Sequence, residues 1–307
     1  MITAPFCAAA DWGTTNFRLW LLDASGGVLA ERSSGQGMRT CLPDHSFNAV
    51  IEEHLKGLDA PADLPVVVTG MAGARGAWKE AAYLDTPAQL DALHAKAVRV
   101  EEAQRDVRIL PGVCQRRKGR EDVMRGEETQ LAGACAEGRR SGLFCLPGTH
   151  SKWVRLQEGR LTEFTTFMTG ELFALMTGHS VLADMIAKGT GDSTSPAFAD
   201  AVSEMLGGTA LTGRLFSIRA ASLLANDAPD ARARLSGLLI GAEIAATREA
   251  LQGDAAATLI ASGAQAGAYE TALSVAGVGC GILDGHDLVR RGLYSAALAL
   301  WPERSAT

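Results

Sequence analysis

The chain is defined first by what it does not contain. Its six cysteines are scattered and none forms a C-x-x-C pair, so neither a structural zinc site nor a redox motif is signalled. Most are expected to be small buried apolar residues in a reducing compartment. There is no long Lys/Arg block and the net charge is −6, which argues against the basic footprint that nucleic-acid binding requires. No apolar run approaches the ~18 residues of a membrane span. The opening Met-Ile-Thr-Ala-Pro lacks a basic segment followed by an apolar one, so no signal peptide is expected. A cytoplasmic location follows as an expectation. The common catalytic signatures are missing too: no G-x-x-x-x-G-K-[ST] loop, no H-E-x-x-H, no G-x-S-x-G, and no metal-ligand spacing among the six histidines.

What remains is an ordinary globular composition, 47% hydrophobic and 21% charged over 307 residues. That length corresponds to roughly two domains at about 150 residues each. The first stretch alternates strands and tight turns. Phe6–Ala10 and Phe17–Leu22 are apolar runs separated by the polar turn Asp11-Trp12-Gly13-Thr14-Thr15-Asn16. Asp23–Gly27 is a hairpin signal before a returning strand. The helical spacing of Phe47, Val50, Ile51, His54 and Leu55 predicts a helix over 46–58. Val66–Thr69 and Val107–Leu110 read as buried parallel strands, and 123–137 as a helix. The basic segment 115–122 is expected to be a solvated loop, with a phosphate-attracting rim as the alternative.

The pattern then repeats. Leu143–Leu146 is a strand, Pro147-Gly148-Thr149-His150-Ser151 a turn, and 152–156 and 161–167 are further strands before a helix opening at Thr169. Laying Gly13-Thr14 over Gly148-Thr149 aligns the two hairpins. The remainder reads as mostly helical and Ala-rich, with a strand at 257–261 ending in Ser262-Gly263, helices over 235–251, 269–276 and 287–301, and a glycine-rich loop at 277–281.

Each Gly-Thr turn has the chemistry of an anion site. Glycine lets the backbone approach a phosphate and adopt turn torsions closed to other residues. Successive amides form a nest, and threonine hydroxyls add donors. A carboxylate at the strand end, Asp11, can hold a hydrated Mg²⁺, which takes few protein ligands. An ordinary hairpin with an Asx turn is the plain alternative for Asp11–Asn16. In the second turn Gly148, Thr149, Ser151 and Lys152 offer an amide, two hydroxyls and an ammonium. Glu127 and Glu128, on the segment before that turn, could accept a proton from an attacking hydroxyl; an exposed acidic helix face is the alternative. Ser262 and Gly263 would let an adenine lie against a glycine-containing strand end.

Five stretches together resemble the 2-dehydro-3-deoxygalactonokinase family of the sugar kinase/Hsp70/actin superfamily. They are Asp11-Trp12-Gly13-Thr14-Thr15-Asn16-Phe17-Arg18, Gly70–Trp78, Val123–Gln130, Leu146–Val154 and Thr166–Phe173. The resemblance implies an α/β fold of two ribonuclease-H-like lobes with a nucleotide cleft between them, the actin-like ATPase fold. It places the N-terminal lobe at 1–114, with the C-terminal helix 287–307 packing back on it, and the second lobe at 115–286. It implies ATP and Mg²⁺ as cofactors and phosphorylation of the 6-hydroxyl of 2-dehydro-3-deoxy-D-galactonate. A related acid such as 2-dehydro-3-deoxygluconate is the alternative acceptor, and a nucleotide-dependent switch or a phosphohydrolase are the alternative classes. Superfamily sugar kinases carry a Gly-Asp step whose Asp is the base; here that step is Gly126-Glu127, so Glu127 is expected to be the base, with Glu128 second. Gly13, Thr14, Thr15, Asn16, Gly148, Thr149, Ser151, Lys152, Ser262 and Gly263 are expected to bind nucleotide, and Asp11 the metal. The acid's carboxylate calls for a cation, Arg18 or Arg75, with Trp78 and Tyr83 walling the pocket; surface arginines and core aromatics are the alternatives. The expected partner is this small-molecule sugar acid, with neither nucleic acid nor membrane; a homodimer is left open.

Overall fold

The structure is a computed structural model that describes residues 4–187, 192–225, 230–251 and 256–304. The opening Met1–Thr3 and the last three residues of the 287–307 segment lie outside those described. The chain divides into two compact units. The first comprises residues through Ser141, with Leu156–Glu163 and the segment from Gly285 onward; the second comprises Gly142–Arg155 and Phe164–Asp284.

In the first unit, β1 (Cys7–Trp12), β2 (Phe17–Leu22) and β3 (Val28–Ser34) form an antiparallel meander. β4 (Val66–Gly70) and β5 (Val107–Ile109) add in parallel on the other side of β1, giving the order β3–β2–β1–β4–β5, with Val98–Arg99 at the edge. The central strands are buried on both faces, which is why β1 and β4 read as unbroken apolar runs rather than alternating ones. Helix α1 (Phe47–Lys56) covers one face through Phe47, Val50, Ile51 and Leu55.

On the other face, α2 (Glu127–Ala136) packs against α8 (Gly285–Leu300). Two glycines permit this contact. A Cβ on Gly133 would lie 2.0 Å from the Leu288 carbonyl oxygen, and one on Gly292 2.0 Å from that of Thr129. The helix axes can therefore approach to backbone contact. This contact joins 115–141 to the first unit, whereas the family resemblance puts 115 onward in the second. Val113–Gln115 also pairs with Leu84–Asp85 and with Asp122–Met124 in a small sheet.

The second unit repeats the topology. β6 (Gly142–Leu146) is central, β7 (Ser151–Gln157) and β8 (Arg160–Phe167) follow on one side, their hairpin end Leu156–Glu163 counting with the first unit, and β9 (Ala256–Ile260) and β10 (Gly279–Leu283) join in parallel on the other. The order β8–β7–β6–β9–β10 matches that of the first unit. Between β8 and β9 run α3 (Thr169–His179), α4 (Pro196–Leu206), α5 (Leu211–Ala225) and α6 (Ala231–Ala246); α7 (Gly263–Val275) connects β9 to β10. Gly237 and Gly241 of α6 sit against the backbone of α4 with no room for a side chain. The chain thus has the expected α/β class: two ribonuclease-H-like units, as in actin-like ATPases.

Two local expectations are corrected. The helix read over 123–137 starts only at Glu127: Asp122–Met124 is a strand, and Gly126, at φ 108°, sets the boundary. The glycine-rich segment read as a loop contains edge strand β10, whose parallel pairing with β9 overrides the weak strand preference of Gly279 and Gly281.

Candidate active site

The first Gly-Thr turn closes the β1–β2 hairpin. Gly13 donates its amide to the Asn16 carbonyl at 2.8 Å. The Gly13 and Thr14 carbonyls accept from the amides of Met38 and Arg39, both at 3.0 Å, where a Cβ on Gly37 would collide with the Thr15 backbone. The turn is thereby held from its carbonyl side. The amides of Thr14, Thr15 and Asn16 and both threonine hydroxyls have no hydrogen-bond partner among the described residues. That is the donor array an anion requires.

Beside it lies a hollow of about 520 Å³ lined by Asp11, Gly13, Asn16, Arg18 and His286, among others. Asp11 stands near the end of β1, in register with Arg18 on β2 and Thr69 on β4. Burial pushes its carboxyl up to about 6; Arg18 opposes the shift and the Glu127 charge adds to it. Asp11 and Glu127 therefore share one electrostatic site.

The two glutamates at the start of α2 have different situations. Glu128 is 1% exposed. Its carboxylate accepts from the Gly126 amide at 2.8 and 2.9 Å and from the hydroxyls of Thr69 and Thr129 at 3.4 and 3.1 Å. Burial, followed by the neighbouring Glu127 charge, pushes it up to about 7. It ties α2 to β4 and has no face toward solvent. Glu127 is half-buried, with one oxygen accepting from the Arg125 amide at 3.1 Å. Both glutamates sit in the first turn of the helix, where the N-terminal dipole favours negative charge.

The expected acid-binding residues separate. Arg18 is half-buried, lines the hollow with Asp11 and pairs with Glu31 at 3.4 Å. The Arg75 side chain is 90% exposed, with Glu80 at 3.6 Å. Trp78 packs into the aromatic cluster, stacked on Phe47 at 6.1 Å between centroids and edge-on to Trp12 at 5.8 Å. Tyr83 lies under the Arg125 guanidinium, 4.5 Å from its ring centroid. Arg125, not singled out in the sequence, donates to the Ala81 carbonyl, while its Nε and Nη1 are buried without a partner.

In the second unit the Gly148-Thr149 turn is exposed at Thr149 and packs on the N-terminus of α3. The Glu171 amide donates to the Thr149 carbonyl at 2.9 Å, and a Cβ on Gly170 would lie 2.3 Å from the Gly148 carbonyl oxygen. Two residues expected to face phosphate turn away from the surface. Ser151 is fully buried and donates to Glu243 at 2.7 Å, because strand alternation turns it inward. Lys152 is also buried, its ammonium folded back 2.8 Å from the His150 carbonyl.

The same unit holds a hollow of about 470 Å³ lined by Gly148, Thr169, Phe173, Arg232 and Tyr269, with Ala264–Gln265 and Gly267–Ala268 of α7. The Arg232 guanidinium lies 5.0 Å from the Phe173 ring centroid. Ser262 and Gly263 immediately precede the lining residues, because α7 begins at Gly263 and not at Tyr269 as its periodicity suggests. Arg232, Phe173 and Glu243 carry no role in the sequence reading. The one signal available for Glu243 is a single carboxylate inside the apolar run 238–246.

Among the described residues no three His, Cys, Asp or Glu side chains gather to hold a metal, and no helix is long and apolar enough to cross a membrane.

Residues 11–296 match the 2-keto-3-deoxy-galactonokinase family. Rhizobium meliloti (strain 1021) DgoK1, a probable 2-dehydro-3-deoxygalactonokinase, is 48% identical over 306 residues, 98% of this chain and 100% of that one. The 2-dehydro-3-deoxygalactonokinase of Escherichia coli (strain K12) is 34% identical over 293 residues, 95% of this chain and 97% of that one. The crystal structure of a Sinorhizobium meliloti protein carrying the same name superposes with a TM-score of 0.92 at 47% identity, covering 96% of this chain and 99% of that one. With motifs, topology and full-length similarity in agreement, the chain belongs to the 2-keto-3-deoxy-galactonokinase family.

Proposed function

We propose that this chain is an ATP-dependent kinase that phosphorylates the 6-hydroxyl of 2-dehydro-3-deoxy-D-galactonate, acting as a cytoplasmic enzyme. The observation that carries the chemistry is the half-buried Glu127 at the head of α2, electrostatically linked to Asp11 while its neighbour Glu128 is committed to structure. Glu127 orients the acceptor hydroxyl and takes its proton. Thr14, Thr15 and Asn16 carry phosphate donors in the first unit, and the Gly148-Thr149 turn carries the same chemistry in the second. The nucleoside occupies the hollow beside Arg232 and Phe173. Arg18 provides the charge opposite the acid's carboxylate.

Phosphoryl transfer depends mainly on positioning and charge neutralisation, so most of these roles are electrostatic. The Asp11 carboxylate, in a field made more negative by Glu127, has the chemistry that Mg²⁺ takes, since the ion keeps several waters and needs few protein ligands. Asp11 would hold it, and when bound it offsets phosphate charge. The reading is tested by measuring ADP formation with and without a panel of 2-dehydro-3-deoxy sugar acids. Formation dependent on the galactonate derivative supports it. Turnover independent of any acceptor, or preferring the gluconate isomer, refutes the reaction or its substrate respectively.

A further inference from the structure

We propose that Glu243 is a positioning residue that sets the second phosphate turn and the wall of the adjoining hollow. The inference rests on the nucleotide reading of that hollow.

Glu243 lies on α6 and is 2% exposed. Its Oε2 accepts from the Ser151 hydroxyl at 2.7 Å, from the Tyr269 hydroxyl at 2.8 Å and from the Thr169 hydroxyl. Its Oε1 accepts from the indole N–H of Trp153 at 2.8 Å. The four donors come from three other elements: β7, α3 and α7. Each bears on the hollow or its turn. Ser151 is the first strand residue after Gly148-Thr149-His150. Thr169 opens α3, whose Gly170 and Glu171 contact Gly148 and Thr149. Thr169 and Tyr269 also line the hollow.

A buried carboxylate is costly unless its lone pairs are filled, and an apolar replacement often serves stability as well or better. This one has no cation among its four partners and accepts neutral donors on both oxygens. The four bonds oppose the upward shift that burial imposes on its carboxyl. Their geometric effect is to lock strand, turn and two helices to a single point. Glutamine at this position has only one accepting atom. Its amide group would face either the Trp153 N–H, two donors opposed, or the hydroxyl cluster, which would have to rearrange.

The test is the dissociation constant for ADP, measured by calorimetry on the full chain, beside the sugar-acid KM and the thermal midpoint. In Glu243→Gln the ADP Kd should rise at least about tenfold, the scale of one lost bond to a charged group, while the sugar-acid KM stays within about twofold. Trp153→Phe removes one donor and keeps the carboxylate; its ADP Kd should rise about threefold. If Glu243→Gln does not fold, Trp153→Phe decides alone. A lowered thermal midpoint with unchanged ADP Kd means Glu243 is structural only, and overturns the proposal. A wild-type chain that fails to bind ADP refutes instead the nucleotide reading on which it rests.

Discussion

Replacing Asp11 by asparagine should make the protein more stable and less useful. Folding raises the Asp11 carboxyl from an ordinary 3.8 to about 6, chiefly by burial. Between those values the folded chain keeps a proton that the unfolded chain has released, so stability falls as pH rises from about 4 to 6 and stays lowered above it. At pH 8, where the carboxyl is ionised in both states, that rise costs about 3 kcal/mol. An asparagine side chain does not titrate, so the variant escapes this cost. Arg18 loses an attractive charge but keeps Glu31 at 3.4 Å, which makes the offset small. For a unit of this size the gain is roughly 5–10 °C in Tm. Circular dichroism melts of both proteins at pH 4.5 and pH 8 test this. The variant should melt higher at pH 8, with most of the gap closed at pH 4.5. Mg²⁺ with ATP should raise the wild-type Tm more than the variant's, since only a ligand bound by the native state stabilises it. A variant that melts at or below wild type at pH 8, or a gap that ignores pH, would refute the reasoning.

Three further outcomes follow from the same geometry. Glu127→Gln should lower turnover by at least about 10²-fold with little change in nucleotide affinity; steady-state kinetics near the wild-type rate would remove Glu127 from the chemistry. Arg18→Ala should raise the sugar-acid KM about tenfold, as expected for loss of a charged partner, whereas Arg75→Ala, on a side chain 90% exposed, should stay within about twofold. The reverse ranking would relocate the acid. Gly292→Ala should cost about 3 kcal/mol or more in denaturant unfolding, since its Cβ would lie 2.0 Å from a backbone oxygen that cannot swing away.

Local chemistry is legible wherever neighbouring residues alone decide it. The Asp11–Asn16 turn, the Gly148-Thr149 turn and the repetition of hairpin and strand between the halves are visible because glycine, threonine and apolar runs act over a few residues. What is not legible depends on partners far along the chain. The 123–137 segment has helical content throughout, yet Asp122–Met124 is extended because Val113–Gln115 offers it a ladder. The bonds of Ser151 to Glu243 and of Lys152 to the His150 carbonyl are not legible either, since burial in the second unit sets them. For Trp78 the sequence leaves a pocket wall and a core aromatic equally open, because its contacts with Phe47 and Trp12 come from residues about 30 and 66 positions away. Glu243 is surrounded in sequence by Gly, Ala and Ile, and its four donors lie 26 to 92 residues away.

The seam between α2 and α8 has a consequence for biosynthesis. The first unit lacks one of its covering helices until residues 285–300 have been made, because that helix packs against α2 and against β1. The second unit's strands are all synthesised before it. During synthesis residues 142–284 are therefore complete before the first unit is, and one apolar side of the first unit's sheet stays uncovered until residues 285–300 follow. A chain cut before residue 285 should be as damaged in β1–β5 as in the residues it loses.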